Sequence, residues 1–346
     1  MNNMLFFCNA SASSVHVIWP ILAVVVGLLL LVWSAERFVA GSASLAKILG
    51  MSPLLIGMVI VGFGTSAPEM CVSVLAAVNN SPNIALGNAY GSNIANIALI
   101  LGLTALISPI FYARSVMKKE LPVLFIATLL CLPMLLDFEL TSLEGILMIA
   151  IFIVSMVILS LKSKQAKNDE EPEHIKADEE VKGYDSIWIS IFWLLVGLVV
   201  LVASSQMLVW GAKDIAFRCH VSDLVVGLTI VAIGTSLPEL ASSVAAALKK
   251  EHDIALGNII GSNLFNTLMV VGLASSVKSF TLEKEVLFRD YSLVLCFTAL
   301  LFLPLIPMAF GSKKPRISRI FGGVLLLLYC IYTVYLISLA FVSPNS

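Results

Sequence analysis

The stretch GTSAPEM at residues 64–70 brings Thr65, Ser66 and Glu69 together, and GTSLPEL at 234–240 repeats the arrangement with Thr235, Ser236 and Glu239. On a helix, Thr65 and Glu69 are i, i+4 and Ser66 and Glu69 are i, i+3, so each triplet shares one face. Two further pairs, Ser92 with Asn96 and Ser262 with Asn266, are also i, i+4. Carboxylate, hydroxyl and carboxamide groups all offer hard oxygen, and neither motif contains Cys or His, which excludes soft metals. Calcium takes about 6–8 oxygens at roughly 2.3–2.6 Å. Two glutamates neutralise one divalent cation or two monovalent ones.

These motifs sit where polar groups are costly. Of the 346 residues, 59% are hydrophobic and 12% charged, with a mean hydropathy of +0.99, whereas a soluble domain carries about 25% charged residues. This composition specifies an all-α integral membrane protein. Crossing about 30 Å of hydrocarbon takes about 20 apolar residues, which places spans near 18–40, 54–78, 83–107, 120–137, 143–162, 187–209, 224–248, 253–277, 288–309 and 317–340. An isolated carboxylate at mid-bilayer is costly, so Glu69 and Glu239 are expected to be paired with cations or protonated. The other acids are expected in loops or at span ends. Gly and Pro beside the polar groups should loosen the helices and turn backbone carbonyls toward the site, which predicts discontinuous helices 2, 3, 7 and 8.

The chain is a duplication. Shifting it by 170 places GTSAPE on GTSLPE and IALGNAYGSNIAN (84–96) on IALGNIIGSNLFN (254–266), with about 24 of 51 positions identical over 54–104 and no gap. Five crossings separate equivalent positions, so the second copy must be upside down relative to the first. The expected fold is ten transmembrane helices as two inverted five-helix repeats: residues 1–162, a cytoplasmic hydrophilic linker at 163–186, and residues 187–346. Such repeats place a binding site near the midplane where they meet. For Asn88 and Asn258, helix packing and direct ligation both stand open.

Orientation follows from the basic residues. With the N-terminus outside, 16 of the 21 Lys and Arg fall in cytoplasmic loops, which places both termini outside in a multi-pass plasma membrane protein of the bacterial inner-membrane type. The polar start, MNNMLFFCNASASS, lacks a positive n-region, so no cleavable signal peptide is expected. The linker reads as solvated and matches no calcium-loop pattern. Six scattered cysteines read as packing residues. A net charge of −1 gives no sign of nucleic acid. HExxH and GxSxG motifs are absent, which argues against an enzyme, and no cofactor is expected.

GTSAPE…GNAYGSNIAN and GTSLPE…GNIIGSNLFN resemble the two alpha-repeats of the calcium/cation antiporter superfamily, in particular bacterial sodium/calcium exchangers and their potassium-dependent relatives. The resemblance implies that Glu69 and Glu239 coordinate calcium with Thr65 and Thr235, while Ser66, Ser236, Ser92, Ser262, Asn96 and Asn266 serve sodium sites around it. The carbonyls of Gly62 and Ala232 are implied as contributors. Calcium and sodium are thus the expected transported ions, with potassium a further one in some relatives. Some members carry an aspartate at the position of Asn266, which bears on sodium stoichiometry. In the family the first and sixth helices slide to switch access. Here Glu36 and Arg37 on the first correspond to Gln206 and Met207 on the sixth. The alternatives are a proton-coupled cation antiporter and, less favoured by an inverted duplication, a cation channel.

Overall fold

In hydrocarbon each backbone N–H and C=O must be satisfied within its own segment, so apolar runs of this length fold as helices. The computed structural model describes residues 2–79, 81–112, 116, 118–169, 184–218, 232–305 and 316–342. The helices are α1 (Asn2–Leu49), α2 (Pro53–Val78), α3 (Pro82–Ile107), α4 (Glu120–Leu135), α5 (Ser142–Asp169), α6 (Ile187–Arg218), α7 (Leu237–Leu248, after a short turn Ala232–Thr235), α8 (His252–Val277), α9 (286–300) and α10 (Arg319–Val342). Among the described residues, seven are long and apolar enough to cross a membrane. The runs at 120–137, 224–248 and 288–309 are represented by the shorter α4, α7 and α9, and residues 219–231 and 306–315 lie outside the described residues.

Three expected boundaries move. From Ile18, α1 runs 32 residues, and α6 is also 32 residues long, about 48 Å each at 1.5 Å per residue. The additional turns of α1 are held by packing, since Phe38, Val39, Leu45 and Ala46 are buried. Helix α5 continues to Asp169, into the segment expected to be linker, and Cys8, Cys219 and residues 170–183 lie outside the described side chains. Cys71, Cys296 and Cys330 are exposed on the outer surface and only Cys131 is buried, so the packing assignment holds for Cys131 alone of these four.

The expected helix breaks are mostly absent. Of the four expected, the seventh alone is interrupted among the described residues, at Ser236 (φ −92°, ψ 8°), after which Pro238 falls in the first turn, where no N–H is needed. Helices α2, α3 and α8 run through, with i→i+5 turns at Gly57–Val61, Ala95–Leu101 and Phe265–Val270. Such a turn absorbs irregularity without stranding backbone groups, which hydrocarbon would penalise. The last two turns lie 170 residues apart and begin one residue before Asn96 and Asn266.

Glycines set the closest packing, again at 170-residue offsets. A Cβ on Gly41 would lie 2.8 Å from Leu194 N, and one on Gly211 2.6 Å from the Pro20 carbonyl. On Gly197 it would lie 2.7 Å from Phe38 N, and on Gly27 3.2 Å from Leu208. The reversed order of these contacts shows that α1 and α6 cross antiparallel. In the same way Gly102 of α3 meets Gly322 of α10, and Gly272 of α8 meets Gly145 of α5, with added Cβ atoms at 2.7–3.0 Å from the facing carbonyls.

Antiparallel pairs of two-residue strands tie segments of the two halves together: β1 (Ile110–Phe111) with β4 (Arg316–Ile317), and β2 (Glu139–Leu140) with β3 (Phe280–Thr281). Loop contacts sort into two ends. At one, Lys249 Nζ donates to the Glu36 carbonyl (3.0 Å), Ser108 Oγ to that of Ala247 (3.3 Å) and Arg319 to that of Ile107 (3.3 Å). At the other, Asn83 Nδ2 donates to Glu283 (2.7 Å) and Ser142 N–H to Ser279 Oγ (2.9 Å). The core runs through α3, α8, α4 and α9, while α1, α5, α6 and α10 expose apolar surface, as a lipid-facing layer must.

Candidate ion-binding site

Helix α2 carries a Thr–Ser–Glu face, its counterpart has Thr235 and Ser236 just before α7 and Glu239 in its first turn, and α3 and α8 each carry a Ser–Asn face. Thr65, Ser66, Glu69, Ser92, Asn96, Ser236, Glu239, Ser262 and Asn266 are all buried, whereas Thr235 is partly exposed. The faces are joined by hydrogen bonds. Ser66 Oγ on α2 donates to Glu239 Oε1 on α7 at 3.5 Å. Thr65 Oγ1 lies 3.0 Å from the Val61 carbonyl and 3.2 Å from Asn258 Oδ1 on α8, and its single proton can serve only one of them. Ser262 Oγ reaches the same Asn258 Oδ1 at 3.5 Å.

Asn88 and Asn258 now have a definite place. Asn88 Nδ2 donates to the Glu69 carbonyl (3.2 Å) and Ser73 Oγ (3.0 Å). Asn258 Nδ2 matches it with the Glu239 carbonyl (3.3 Å) and Ser243 Oγ (2.9 Å), and adds Ser242 Oγ (3.0 Å). Each amide fixes the backbone of the turn that carries the glutamate.

Several site oxygens have no protein partner. Both carboxylate oxygens of Glu69, Oε2 of Glu239, Ser236 Oγ and both amide atoms of Asn96 and Asn266 are buried without a hydrogen bond among the described residues. Leaving such a group unsatisfied costs about 1–3 kcal/mol, and more for a charged one. Buried oxygens without a protein partner among the described residues thus occur on α2, α3, α7 and α8, at positions equivalent in the two halves.

Residues 19–161 and 189–338 match the family described as sodium/calcium exchanger protein, once in each half. The chain belongs to that family. CaxA of Alkalimonas amylolytica is 44% identical over 315 residues, covering 91% of this exchanger and 98% of its own length. The inner membrane protein YrbG of Escherichia coli is 35% identical over 321 residues, covering 92% and 96%. A solved structure of the sodium-calcium exchanger NCX_Mj superposes with a TM-score of 0.77 at 30% identity, covering 91% of this exchanger and 98% of that chain. The protein is therefore a membrane antiporter of the sodium/calcium exchange type, and its family is one of transporters, not enzymes.

Three features of the exchanger go beyond the residues singled out by spacing. Asn93 and Asn263, beside Ser92 and Ser262, are buried with Oδ1 unpartnered; Asn93 Nδ2 bonds Thr267 Oγ1 at 2.7 Å, linking α3 to α8. Their identity in both copies was the available signal. Glu120 and Asp290, also 170 residues apart, are buried at or near the starts of α4 and α9, so burial is not confined to Glu69 and Glu239. Asp290 is paired with Arg289 (2.7 and 2.9 Å) and accepts a hydrogen bond from the Tyr332 hydroxyl (3.2 Å), which sets it apart from the site glutamates. Finally, a cavity of about 440 Å³ opens between α6, α2 and α7 and reaches Thr235.

Proposed function

We propose that this exchanger moves calcium in one direction against sodium in the other, by alternating access to one site built from Glu69 and Glu239. Thr65 and Thr235 complete the calcium shell. Ser66, Ser236, Ser92, Ser262, Asn96 and Asn266 supply sodium sites around it. The observation that carries this reading is the set of buried, unpartnered hard oxygens contributed by equivalent helices of the two halves. Two carboxylates cannot hold calcium and a full set of sodium ions together, because the excess positive charge would be uncompensated in a low dielectric. Each ion set therefore displaces the other, and occupancy by either stabilises a closed site that opens to one side or the other.

The architecture in this reading is ten helices in two inverted five-helix repeats, 1–162 and 187–346, joined by a cytoplasmic linker at 163–186, with both termini outside. Antiparallel α1 and α6, with contacts repeating at 170, support the inversion. The meeting of the Lys249, Ser108 and Arg319 loops at one end supports the charge-based sidedness. Reconstitution tests the function: an outward sodium gradient should drive calcium into proteoliposomes with the pH gradient collapsed. Calcium flux that follows a pH gradient without sodium would replace sodium by protons in the cycle.

A further inference from the structure

Among the described residues, the positions equivalent to the lining of the cavity beside Thr235 are more enclosed at the opposite end of the α1–α6 pair. On α6 it is bounded by Ser205, Gln206, Val209 and Asp214. Subtracting 170 gives Ala35, Glu36, Val39 and Ser44 on α1, with Thr65 in place of Thr235. There Ala35, Val39, Ser44 and Thr65 are buried, and α1 packs along α7. Among the described residues, the face of α6 toward α2 and α7 is thus open near its Arg218 end, while the equivalent face of α1 is covered near its Leu49 end.

At the closed end stands a cluster that only one half carries. The Arg37 guanidinium lies 5.0 Å from the Trp193 ring centroid and 5.9 Å from that of Trp33, and its Nη1 donates to the Tyr184 hydroxyl at 3.4 Å. Tyr184 stacks on Trp193 with centroids 6.2 Å apart, and Trp33 meets Trp193 edge-on at 6.1 Å. The Tyr184 N–H donates to Ser44 Oγ at 2.8 Å. Ser44 is the equivalent of Asp214, so Tyr184 sits on the part of α1 that corresponds to the mouth of the cavity on α6. The other half has Met207, Ala203, Ala23 and Ser14 at the positions of Arg37, Trp33, Trp193 and Tyr184, and none of these supplies a cation or a ring.

Two identical inverted halves would make the two access states mirror images of equal free energy, so a contact present at one end only must bias the equilibrium. We infer that Tyr184 is a stopper over the mouth at the α1 end, seated by Ser44 and by Arg37 between Trp33 and Trp193, and that it makes the state open at the α6 end the resting one. This rests on the alternating-access reading above. It does not depend on which ions are carried or which end faces the cytoplasm. Opening at the α1 end requires Tyr184 to leave Ser44, and the loss of its seat lowers that barrier and shifts the population.

The test uses the full chain in membrane vesicles, with native cysteines replaced and a single reporter at Val39→Cys (closed end) or Val209→Cys (open end), read by the rate of reaction with a small thiol reagent. Without further change the Val209 reporter should react faster. Arg37→Met, which installs the residue found at 207, should raise reactivity at the Val39 reporter roughly 5- to 30-fold, the range for losing one or two charge–ring contacts, and lower it at the Val209 reporter. Tyr184→Ala should act in the same direction, and Tyr184→Phe less, because the ring and backbone N–H remain. Tyr184 precedes the start of α6, so it carries the test if Arg37→Met fails to insert. Unchanged reactivity at the Val39 reporter in Tyr184→Ala would overturn the stopper. A wild-type protein that shows the shift but no sodium-driven calcium flux would instead sink the ion assignment and leave the stopper standing.

Discussion

Ser66 Oγ on α2 donates to Glu239 Oε1 on α7 at 3.5 Å, whereas the equivalent pair, Ser236 and Glu69, makes no such bond: Ser236 Oγ and both oxygens of Glu69 have no partner among the described residues. The two halves share their chemistry and differ in local conformation. Helix α7 breaks at Ser236, while α2 continues through Ser66. Glu69 is consequently the barer carboxylate, with the most to gain from a cation.

Replacing either glutamate should remove divalent transport without unfolding the protein. Glu69→Gln and Glu239→Gln keep side-chain volume and remove one unit of neutralising charge. Glu36→Gln, on an exposed position of α1, should leave flux near wild type. Calcium at about 100 times its Kd should stabilise the wild type by about 2.7 kcal/mol. That gain should vanish in Glu69→Gln, as read from thermal unfolding in detergent with and without calcium. Near wild-type calcium flux in either site variant would refute the two-glutamate site.

The asparagines that hold the glutamate backbones should tune affinity. Second-sphere changes typically weaken ion binding about 10- to 100-fold. Asn258→Ala should be the more damaging, because its amide nitrogen lies within hydrogen-bond distance of the Glu239 carbonyl, Ser242 and Ser243 and its oxygen within reach of Thr65 and Ser262. Asn88→Ala loses contacts only to Glu69 and Ser73. Calcium titrations of the two variants should show that order.

Helix contacts at the paired glycines should tolerate no side chain. Gly145→Ala would drive a Cβ into Ser275 Oγ and set it 2.5 Å from Ser276 N, and overpacking of this kind costs about 1–3 kcal/mol or more. Gly323→Ala meets nothing nearer than 3.8 Å and should be silent. Thermal unfolding in detergent separates the two.

Coupling stoichiometry should be readable electrically. If three sodium ions move per calcium, one net charge crosses per cycle, and each 100 mV should bias transport by about 2.3 kcal/mol. If the Asn96 and Asn266 pair supports only two, the potential should have no effect. Asn266→Asp adds a buried acid to α8 and should bring altered cation preference or a new pH dependence while transport persists.

Topology is open to direct labelling. In intact cells an impermeant thiol reagent should reach Ser346→Cys and not Ser163→Cys, each placed in a background without native cysteines. The opposite pattern would invert the protein in the membrane.

The sequence by itself determined the solvent, the duplication and the chemistry of the site. Apolar runs must be helices in lipid, a 170-residue repeat survives in the identities of Glu69 and Glu239, and oxygen-only motifs select hard cations. Those properties are local or periodic, so they are written in composition and spacing. Tertiary packing decided the rest. It made α2, α3 and α8 continuous where Gly and Pro predicted breaks, with widened turns at Gly57–Val61, Ala95–Leu101 and Phe265–Val270. It gave Asn88 and Asn258 to the glutamate carbonyls, which depends on how α3 and α8 lie against α2 and α7. It also set the two halves in unlike states, with Thr235 beside an open cavity and Thr65 buried. Near-identical motifs cannot encode that difference, which arises from contacts such as Arg37 with Trp193 and Tyr184 that join residues about 150 positions apart.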